Sequence, residues 1–244
     1  MKGMKALGVE LYKQRRTGLL TALLVVGWLG AGYAALLFGL RGSQLLALPL
    51  APMDVLLTQL YGVLCVLNIF GIVVAACLAY YLEFSGNAIR KLCVLPLAGG
   101  QIFLWKFVII AAGLLAAWVI QYAAIALVGL RYLPSGAFDV AALVAFAAYT
   151  FLATLPIVSL MLLVASRFTN IWVPLGVGVA GFLSGIALAT AKSPIWLGHP
   201  FVAVFQPAIT TTAVPNPLVI AIAIVETVLF GGLGLVLSQY KAYE

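Results

Sequence analysis

The sequence contains very little charge. Asp, Glu, Lys and Arg make up 8% of its 244 residues, whereas 65% of the residues are hydrophobic. Ordinary globular proteins carry about 25% charged residues. A water-soluble fold of this length would have no way to bury so much apolar surface, because much of any folded surface stays exposed. The composition therefore excludes a soluble globular domain and indicates an integral membrane protein.

Common catalytic and metal-binding patterns are also missing. The chain has one histidine, His199, and three cysteines with no CxxC or CxxxC spacing. It has no GxSxG motif to supply the nucleophile of an intramembrane serine protease, and no HExxH motif to supply the metal ligands of a metalloprotease. One histidine cannot form a metal site, so no metal is expected and His199 is interpreted as interfacial packing. The phosphate loop GxxxxGK[ST] is absent too, and no nucleotide is expected on this chain.

Six long apolar runs account for most of the sequence. About 20 helical residues cross a hydrocarbon core of ~30 Å, and lipid forces the backbone polar groups to pair within each crossing segment. We therefore predict an all-α polytopic membrane protein, forming a single domain over residues 1–244, with six transmembrane helices. The predicted spans are Leu19–Leu40, Leu56–Leu82, Ile102–Leu130, Val140–Ser166, Ile171–Ala191 and Leu218–Leu237.

The distribution of basic residues predicts the orientation. Six spans put both termini on one side, and if that side is the cytoplasm, ten of the thirteen Lys and Arg residues lie inside. Only Arg41, Arg131 and Lys192 then lie outside, in agreement with the positive-inside rule. We expect a multi-pass plasma-membrane protein with both termini in the cytoplasm. Because membrane topology explains the positive charge, no nucleic-acid partner is expected.

Polar residues are concentrated between the second and third spans. In a helix over residues 83–96, Glu83, Asn87, Arg90 and Lys91 share one face, and apolar residues share the other. Pro96 ends this helix and the chain turns back into the membrane. The pattern predicts an amphipathic helix on the cytoplasmic surface. Two interpretations stay open, an anchor at lipid headgroups or a docking surface for a soluble partner.

The N-terminal segment 1–18 is a second amphipathic candidate. Its polar residues include Glu10, Lys13, Arg15 and Arg16, which stand just before the first span. Such a segment is typical of an interfacial helix that binds membrane lipid, and here too the alternative is a contact with a partner.

Glu226 is the acidic residue that lies well inside a predicted span. A carboxylate in hydrocarbon is costly, so it is expected to be protonated, hydrogen-bonded to another helix, or facing water. Asn68, Gln121 and Thr154 are the candidate hydrogen-bond partners. Glu226 is either a residue of the transport pathway that meets a cationic substrate, with Asn68 and Gln121 as further pathway candidates, or one side of a structural interhelical bond.

The segment 191–217 is too apolar for an exposed loop and carries five of the eleven prolines. It predicts a short helix in the outer leaflet, either interfacial or re-entrant. In the preceding span, Gly181 and Gly185 form a small-xxx-small pair that permits a close approach of another helix.

Two stretches carry a resemblance to a known family. The N-terminal pattern ELxKxRRT at 10–17, and the block EFSGNAIRKLCVLP at 83–96 followed by QIFLWK at 101–106, resemble permease subunits of ABC-2-type exporters. The length and six-span layout are similar to the lantibiotic-immunity and bacitracin-resistance group. The chain departs from the family at Ala98, where a polar or basic residue is frequent.

The resemblance implies a division of labour between chains. By this resemblance residues 83–96 would form a coupling helix. A separate ABC ATPase subunit would dock on it at Glu83, Asn87, Arg90, Lys91 and Pro96 and would bind ATP and Mg itself. A second permease, identical or related, would complete the transport path, and the substrate would be a lantibiotic-like antimicrobial peptide exported for immunity or resistance. A secondary transporter and a non-transporting membrane assembly subunit remain the alternatives.

Overall fold

The structure, a computed structural model, describes residues 8, 10–14, 17–84, 99–191 and 193–240. The regular structure of these ranges is helical and includes no strand. Six of the helices are long and apolar enough to cross a membrane, which confirms the all-α prediction with six spans. In chain order the helices are α1 (Leu19–Leu46), α2 (Pro52–Phe84), α3 (Gly99–Tyr132), α4 (Val140–Ala165), α5 (Trp172–Ala189), the one-turn helices α6 (Pro200–Ala203) and α7 (Gln206–Ile209), and α8 (Pro217–Tyr240).

Most of the helices extend beyond the apolar runs that predicted them. α1 continues past Leu40 to Leu46, and α2 begins at Pro52 rather than at Leu56. Hydropathy detects only the part of a helix that needs a lipid environment, whereas the helix itself ends where its backbone hydrogen bonding ends. The sequence therefore predicts the number of helices more securely than their ends.

The centre of the bundle is α2, which packs against α1, α3, α4 and α5. α3 also packs along α1, and α4 packs along α8. α2 and α4 are the most buried spans, whereas α5 and α8 are the least buried and expose large apolar side chains such as Leu183 and Val228. Exposed apolar faces of this kind are suited to lipid or to another membrane helix.

Buried polar side chains in the bundle are hydrogen-bonded across helices. Thr150 of α4 receives the Trp118 indole N–H at 3.3 Å and lies 2.7 Å from the Tyr122 hydroxyl, both on α3. Tyr61 of α2 donates to the carbonyl oxygen of Val204 at 3.0 Å. Because an unpaired polar group is costly in a membrane interior, these bonds select one packing of α2, α3, α4 and the outer segment.

The segment between α5 and α8 folds back onto the bundle. It contains a 3₁₀ turn (Pro194–Gly198) followed by α6 and α7, and Phe201 and Val202 are buried. The start of α2 holds the C-terminal part of this segment, because the Asp54 carboxylate accepts a hydrogen bond from the backbone N–H of Ala213 at 2.7 Å. The segment is built of short helices, and its position in the outer leaflet stays a prediction.

The side chain of Phe201 explains the small-residue pair in α5. A Cβ placed on Gly181 would lie 2.4 Å from the Phe201 ring, and a Cβ on Gly185 would lie 2.7 Å from Phe201 Cβ and 2.8 Å from its carbonyl oxygen. The element that approaches α5 is therefore the outer segment. Further along the same helix, Gly178 leaves space for Val73 of α2.

We predict that Gly185→Ala destabilises the protein by about 1–3 kcal/mol, because the added methyl group meets backbone that cannot move aside. Gly176→Ala, on the same helix with no atom within 4 Å of its Cβ, is the matched control. It is expected to be neutral or stabilising, since Ala is the better helix former. Thermal unfolding of both variants in detergent measures the difference, and equal midpoints would contradict the packing described for Phe201.

Candidate functional site

The described residues bring four charged side chains together where α2 ends and α3 begins. Residues 10–14 form a helical segment, and the chain turns at Thr17 and Gly18 into α1. Gly18 has φ of 75°, in the left-handed region that favours glycine. The Thr17 hydroxyl donates to the Gln14 carbonyl at 2.7 Å and accepts from the Leu19 N–H at 3.1 Å. This turn fixes the segment against the bundle.

Lys106 is the centre of the ion cluster, which we define as Glu10, Lys13, Glu83 and Lys106. Its side chain is fully buried, and its ammonium donates to the carboxylates of Glu10 and Glu83, the latter at 3.1 Å. It also donates to the Ala79 carbonyl at 2.7 Å, and it lies 5.2 Å from the centroid of the Tyr80 ring. An ammonium has three donors, so Lys106 is fully satisfied.

The cluster is electrically balanced, with two carboxylates and two ammonium groups. Lys13, about a third exposed, lies 3.7 Å from Glu10 and 3.5 Å from Glu83, and Gln14 donates to Glu10 at 3.0 Å. Burial alone would raise the pKa of Glu10, but the charge and hydrogen bond of Lys106, with Gln14 and Lys13, outweigh it and hold that pKa below its ordinary value. Glu10 is therefore ionised, and the N-terminal segment is bound to α2 and α3 by charge.

The structure changes the role expected for Glu83. Glu83 was expected on the polar outer face of the connection, yet it is 6% exposed and paired with Lys106. The reason is that Lys106, seven residues inside α3, would otherwise be a buried charge without a counter-ion. In the sequence, Lys106 stands within an apolar run, and a lysine in such a run indicates an acidic partner.

The other residues predicted for cytoplasmic contact fall partly outside the structure. Glu10 and Lys13 belong to the ion cluster. The remaining predicted residues lie outside the described part of the chain: Arg15, Arg16, Asn87, Arg90, Lys91 and Pro96.

The predicted pathway residues Asn68 and Gln121 are paired with each other. Each side-chain amide donates to the oxygen of the other at 3.0 Å, and the Gln121 amide lies 3.3 Å from the carbonyl of Val26. They are candidate partners of Glu226, but in the structure the two amides satisfy one another across α2 and α3 instead. Thr154, the third candidate partner, donates instead to the carbonyl of Thr150 at 2.7 Å.

Glu226 lies on the buried face of α8 with Val219 and Ala223, and 9% of it is exposed. This helix packs against α4 and α3. The Oε2 atom is buried and has no hydrogen-bond partner among the residues that the structure describes. Unpaired buried oxygens are rare and indicate a group that receives a proton, a ligand or water.

His199 contacts a serine of α5. Its Nε2 lies 3.3 Å from the Ser184 hydroxyl, which also donates to the Gly181 carbonyl at 3.0 Å. Burial lowers the pKa of His199. The second ring nitrogen has no hydrogen-bond partner in the described ranges, so the carboxylate that orients a catalytic histidine is missing there. The contact joins the outer segment to α5.

The all-helical fold with six spans defines a multi-pass membrane protein. The family described as ABC-2 family transporter protein matches residues 6–185. This match covers well over half of the chain and includes the N-terminal segment and the connection between α2 and α3. The chain belongs to the ABC-2 family, whose members are membrane permease components of ABC transporters and generally pair with an ABC ATPase subunit. No curated protein shows a significant match to the chain.

We predict that Lys106→Met lowers the free energy of unfolding by about 3–5 kcal/mol, because two buried carboxylates lose their shared counter-ion. The N-terminal segment should also become more sensitive to protease. Lys13→Met is the control, since this partly exposed lysine is expected to contribute less than about 1 kcal/mol. Thermal unfolding and limited proteolysis in detergent measure both effects. Equal losses in the two variants would show that Lys106 does not hold the cluster together.

Proposed function

We propose that the chain is the permease of an ATP-driven exporter and that its ATPase docks on the connection between α2 and α3. Residues 83–96 would form the coupling helix, with Asn87, Arg90 and Lys91 facing the ATPase and Pro96 ending the helix. The family match supports the permease class, and the positive-inside distribution supports a cytoplasmic position for this connection. Both termini would lie on the same side of the plasma membrane.

The ion cluster is the observation that carries this mechanism. The pair Lys106–Glu83 joins α3 to α2 at the base of the connection, and Glu10 adds the N-terminal segment that leads into α1. A force applied to the connection would therefore act on three elements that are already bonded to each other. A buried ion pair transmits such a force well, because separating the charges in a dry interior is costly.

Under this proposal the chemistry is divided between chains. ATP and Mg would be bound by the ATPase, and this chain would supply the route and the linkage without a cofactor of its own. A second permease, a copy of this chain or a related one, would form the other wall of the path. The wide apolar faces of α5 and α8 are suited to such a partner.

Glu226 supports a cationic amphiphile as the substrate. Its unpaired Oε2 lies on the face of α8 that packs against α3 and α4, at about the middle of the span. A carboxylate there attracts positive charge or accepts hydrogen bonds from a substrate that enters from the membrane. A lantibiotic-like peptide has this chemistry, and its removal from the membrane would give immunity or resistance. Asn68 and Gln121 are weaker candidates for the transport pathway, because their side-chain amides are already hydrogen-bonded to each other.

The first prediction from this proposal is a complex with an ABC ATPase. The affinity-tagged full-length chain, extracted from its native membrane in mild detergent, should carry a Walker-motif ATPase subunit at equal stoichiometry, with two permeases in each complex. Replacing Arg90 and Lys91 together by Glu should release the ATPase, because like charge would face its docking surface. Native mass spectrometry measures the composition.

The control for this experiment is Arg131→Glu, which reverses the charge of one basic residue at the other end of α3. It should leave the complex intact. Retention of the ATPase by the Arg90 and Lys91 variant at the wild-type level would rule out the proposed docking site. A wild-type chain without any ATPase would favour a secondary transporter or an assembly subunit.

The second prediction concerns Glu226. Glu226→Gln keeps the size and the hydrogen-bonding ability of the side chain but removes its charge, so folding should be preserved while export of a cationic lantibiotic falls at least tenfold. Asp139→Asn is the matched control, because Asp139 caps α4 at an exposed position and Asn is an equally good cap. Peptide efflux from cells measures both variants. Wild-type export by the Glu226 variant would leave only a structural role for this residue.

A further inference from the structure

A groove runs along the exposed side of the seam between α1 and α3, near the end of α3 that is distant from the ion cluster. Its volume is about 250 Å³, and an apolar cavity of about 150 Å³ already accommodates a benzene ring. Leu127 in its wall is 69% exposed, so the groove is open on the outside of the bundle. The lining consists of Ala35 on α1 and of Ala124, Leu127, Val128, Arg131 and Tyr132 on α3.

The groove forms where α1 and α3 separate. In the middle of the span the two backbones touch, since a Cβ placed on Gly27 would lie 2.9 Å from the Cα of Ala117. Further along α1, a Cβ on Gly39 would find its nearest neighbour in the Tyr132 hydroxyl, at 3.9 Å. The seam is therefore closed at its centre and wider toward the Arg131 end, where small side chains leave the space unfilled.

Two arginines lie at the level of the groove. Gly27 and Ala117 are in contact, and Arg41 and Arg131 each follow 14 residues later on their own helices. They are two of the three basic residues that the predicted topology places outside. Arg131 lines the groove, with its guanidinium 5.9 Å from the centroid of the Tyr132 ring. Both arginines are exposed, and among the described residues neither forms an ion pair or a side-chain hydrogen bond.

The carboxylates at this end of the bundle are bonded to backbone. Asp54, near the start of α2, accepts from the N–H of Ala213 at 2.7 Å, and Asp139 accepts from the N–H of Ala141 at 2.7 Å. The other acidic residues that the structure describes lie in the ion cluster and within α8. The positive charge beside the groove is thus not paired within the described chain, and it attracts an anion from outside.

The surroundings of the groove favour a lipid as the source of this anion. α1 packs mainly against α2 and α3, and large apolar side chains are exposed on both sides of the seam: Leu36, Leu40, Leu127 and Leu130. An arginine and a tyrosine at the end of such a span are typical of the headgroup level. Basic pockets between transmembrane helices bind anionic headgroups, and a guanidinium matches the geometry of a phosphate.

A second copy of the chain is the competing occupant, and the charges disfavour it. In a twofold contact the same surface patch meets itself. The arginines beside the groove of one copy would then approach those of the other, with no free carboxylate of the described residues to separate them. Like charges that face each other across a contact are costly.

We propose that this groove binds an anionic phospholipid, with the lipid phosphate held by Arg131 and an acyl chain lying along Ala35, Ala124 and Val128. A choline or ethanolamine headgroup would bring its ammonium group toward Arg131 and Arg41, so a headgroup of net negative charge is favoured. The bound chain would fill the seam where the backbones of α1 and α3 separate. Lipid binding here is independent of ATPase docking.

The test measures lipid retained by the purified full-length chain in native mass spectrometry, with phosphatidylglycerol and phosphatidylcholine added at equal concentrations. The wild type should retain phosphatidylglycerol in preference. Arg131→Gln should lower this retention by about tenfold, because a charge-assisted contact with the phosphate is lost. Arg131→Lys should keep part of it, since the charge remains without the planar fork. Arg41→Gln is the matched control at the same level outside the groove, and its effect should stay below about threefold.

A second pair of variants tests the groove itself. Ala35 is exposed, so Ala35→Phe fills the groove without disturbing the core. Retention of phosphatidylglycerol should fall by about fivefold even though Arg131 is intact, because the acyl chain loses its apolar contacts. Ala123→Phe adds the same ring at an exposed position of α3 outside the lining and should leave retention unchanged.

Four results would overturn this inference while the proposed function stands. Equal losses in Arg131→Gln and Arg41→Gln would reduce the effect to general surface charge. Unchanged retention in Ala35→Phe would exclude the groove, and equal retention of the two lipids by the wild type would exclude an anionic preference. Dissociation of a permease dimer by Arg131→Gln with its lipid retained would assign the groove to a second copy. Should Arg131→Gln fail to fold, Ala35→Phe against Ala123→Phe still decides.

Discussion

The fold depends on the neutralisation of one buried lysine. Lys106 has no exposed side-chain surface, and an isolated charge in that position would oppose folding by several kcal/mol. Its two counter-ions come from elements distant in sequence, Glu83 at the end of α2 and Glu10 in the N-terminal segment. The bundle therefore has to hold three elements together at a single point. Two features of the backbone meet that requirement. α2 continues past its apolar run as far as Phe84, and the chain makes a left-handed turn at Gly18 between the N-terminal segment and α1.

The buried polar groups of the bundle are of two kinds, those that are hydrogen-bonded within the chain and those with an atom that has no partner among the described residues. Asn68 and Gln121 bond to each other, and Thr150 is bonded to Trp118 and Tyr122. Such groups fix the relative positions of neighbouring helices. Glu226 and Arg167 differ, because each has at least one buried atom without a hydrogen-bond partner among the described residues.

The sequence predicts the six spans because hydropathy is a local property, and any run of this length in lipid has to be helical. Polar contacts are not local. The sequence marks Asn68 and Gln121 as polar residues within apolar spans, but it does not predict that they pair with each other, since a sequence does not reveal which faces of α2 and α3 meet. Glu83 was expected to be exposed for the same reason. The small pair Gly181 and Gly185 correctly predicted close approach, but the approaching Phe201 follows from tertiary structure alone.

The packing also determines where the bundle resists movement. At the ion cluster, a shift of α2 against α3 would separate buried charges, so these helices and the N-terminal segment are expected to move together. α8 is among the least buried spans and has open space beside Gly231 and Gly232. Glu226 lies on this helix, on the face toward α3 and α4. Under the proposed function, a force that enters at the base of α2 would reach α8 through α3 and α4, and Glu226 lies on the face of α8 toward these two helices.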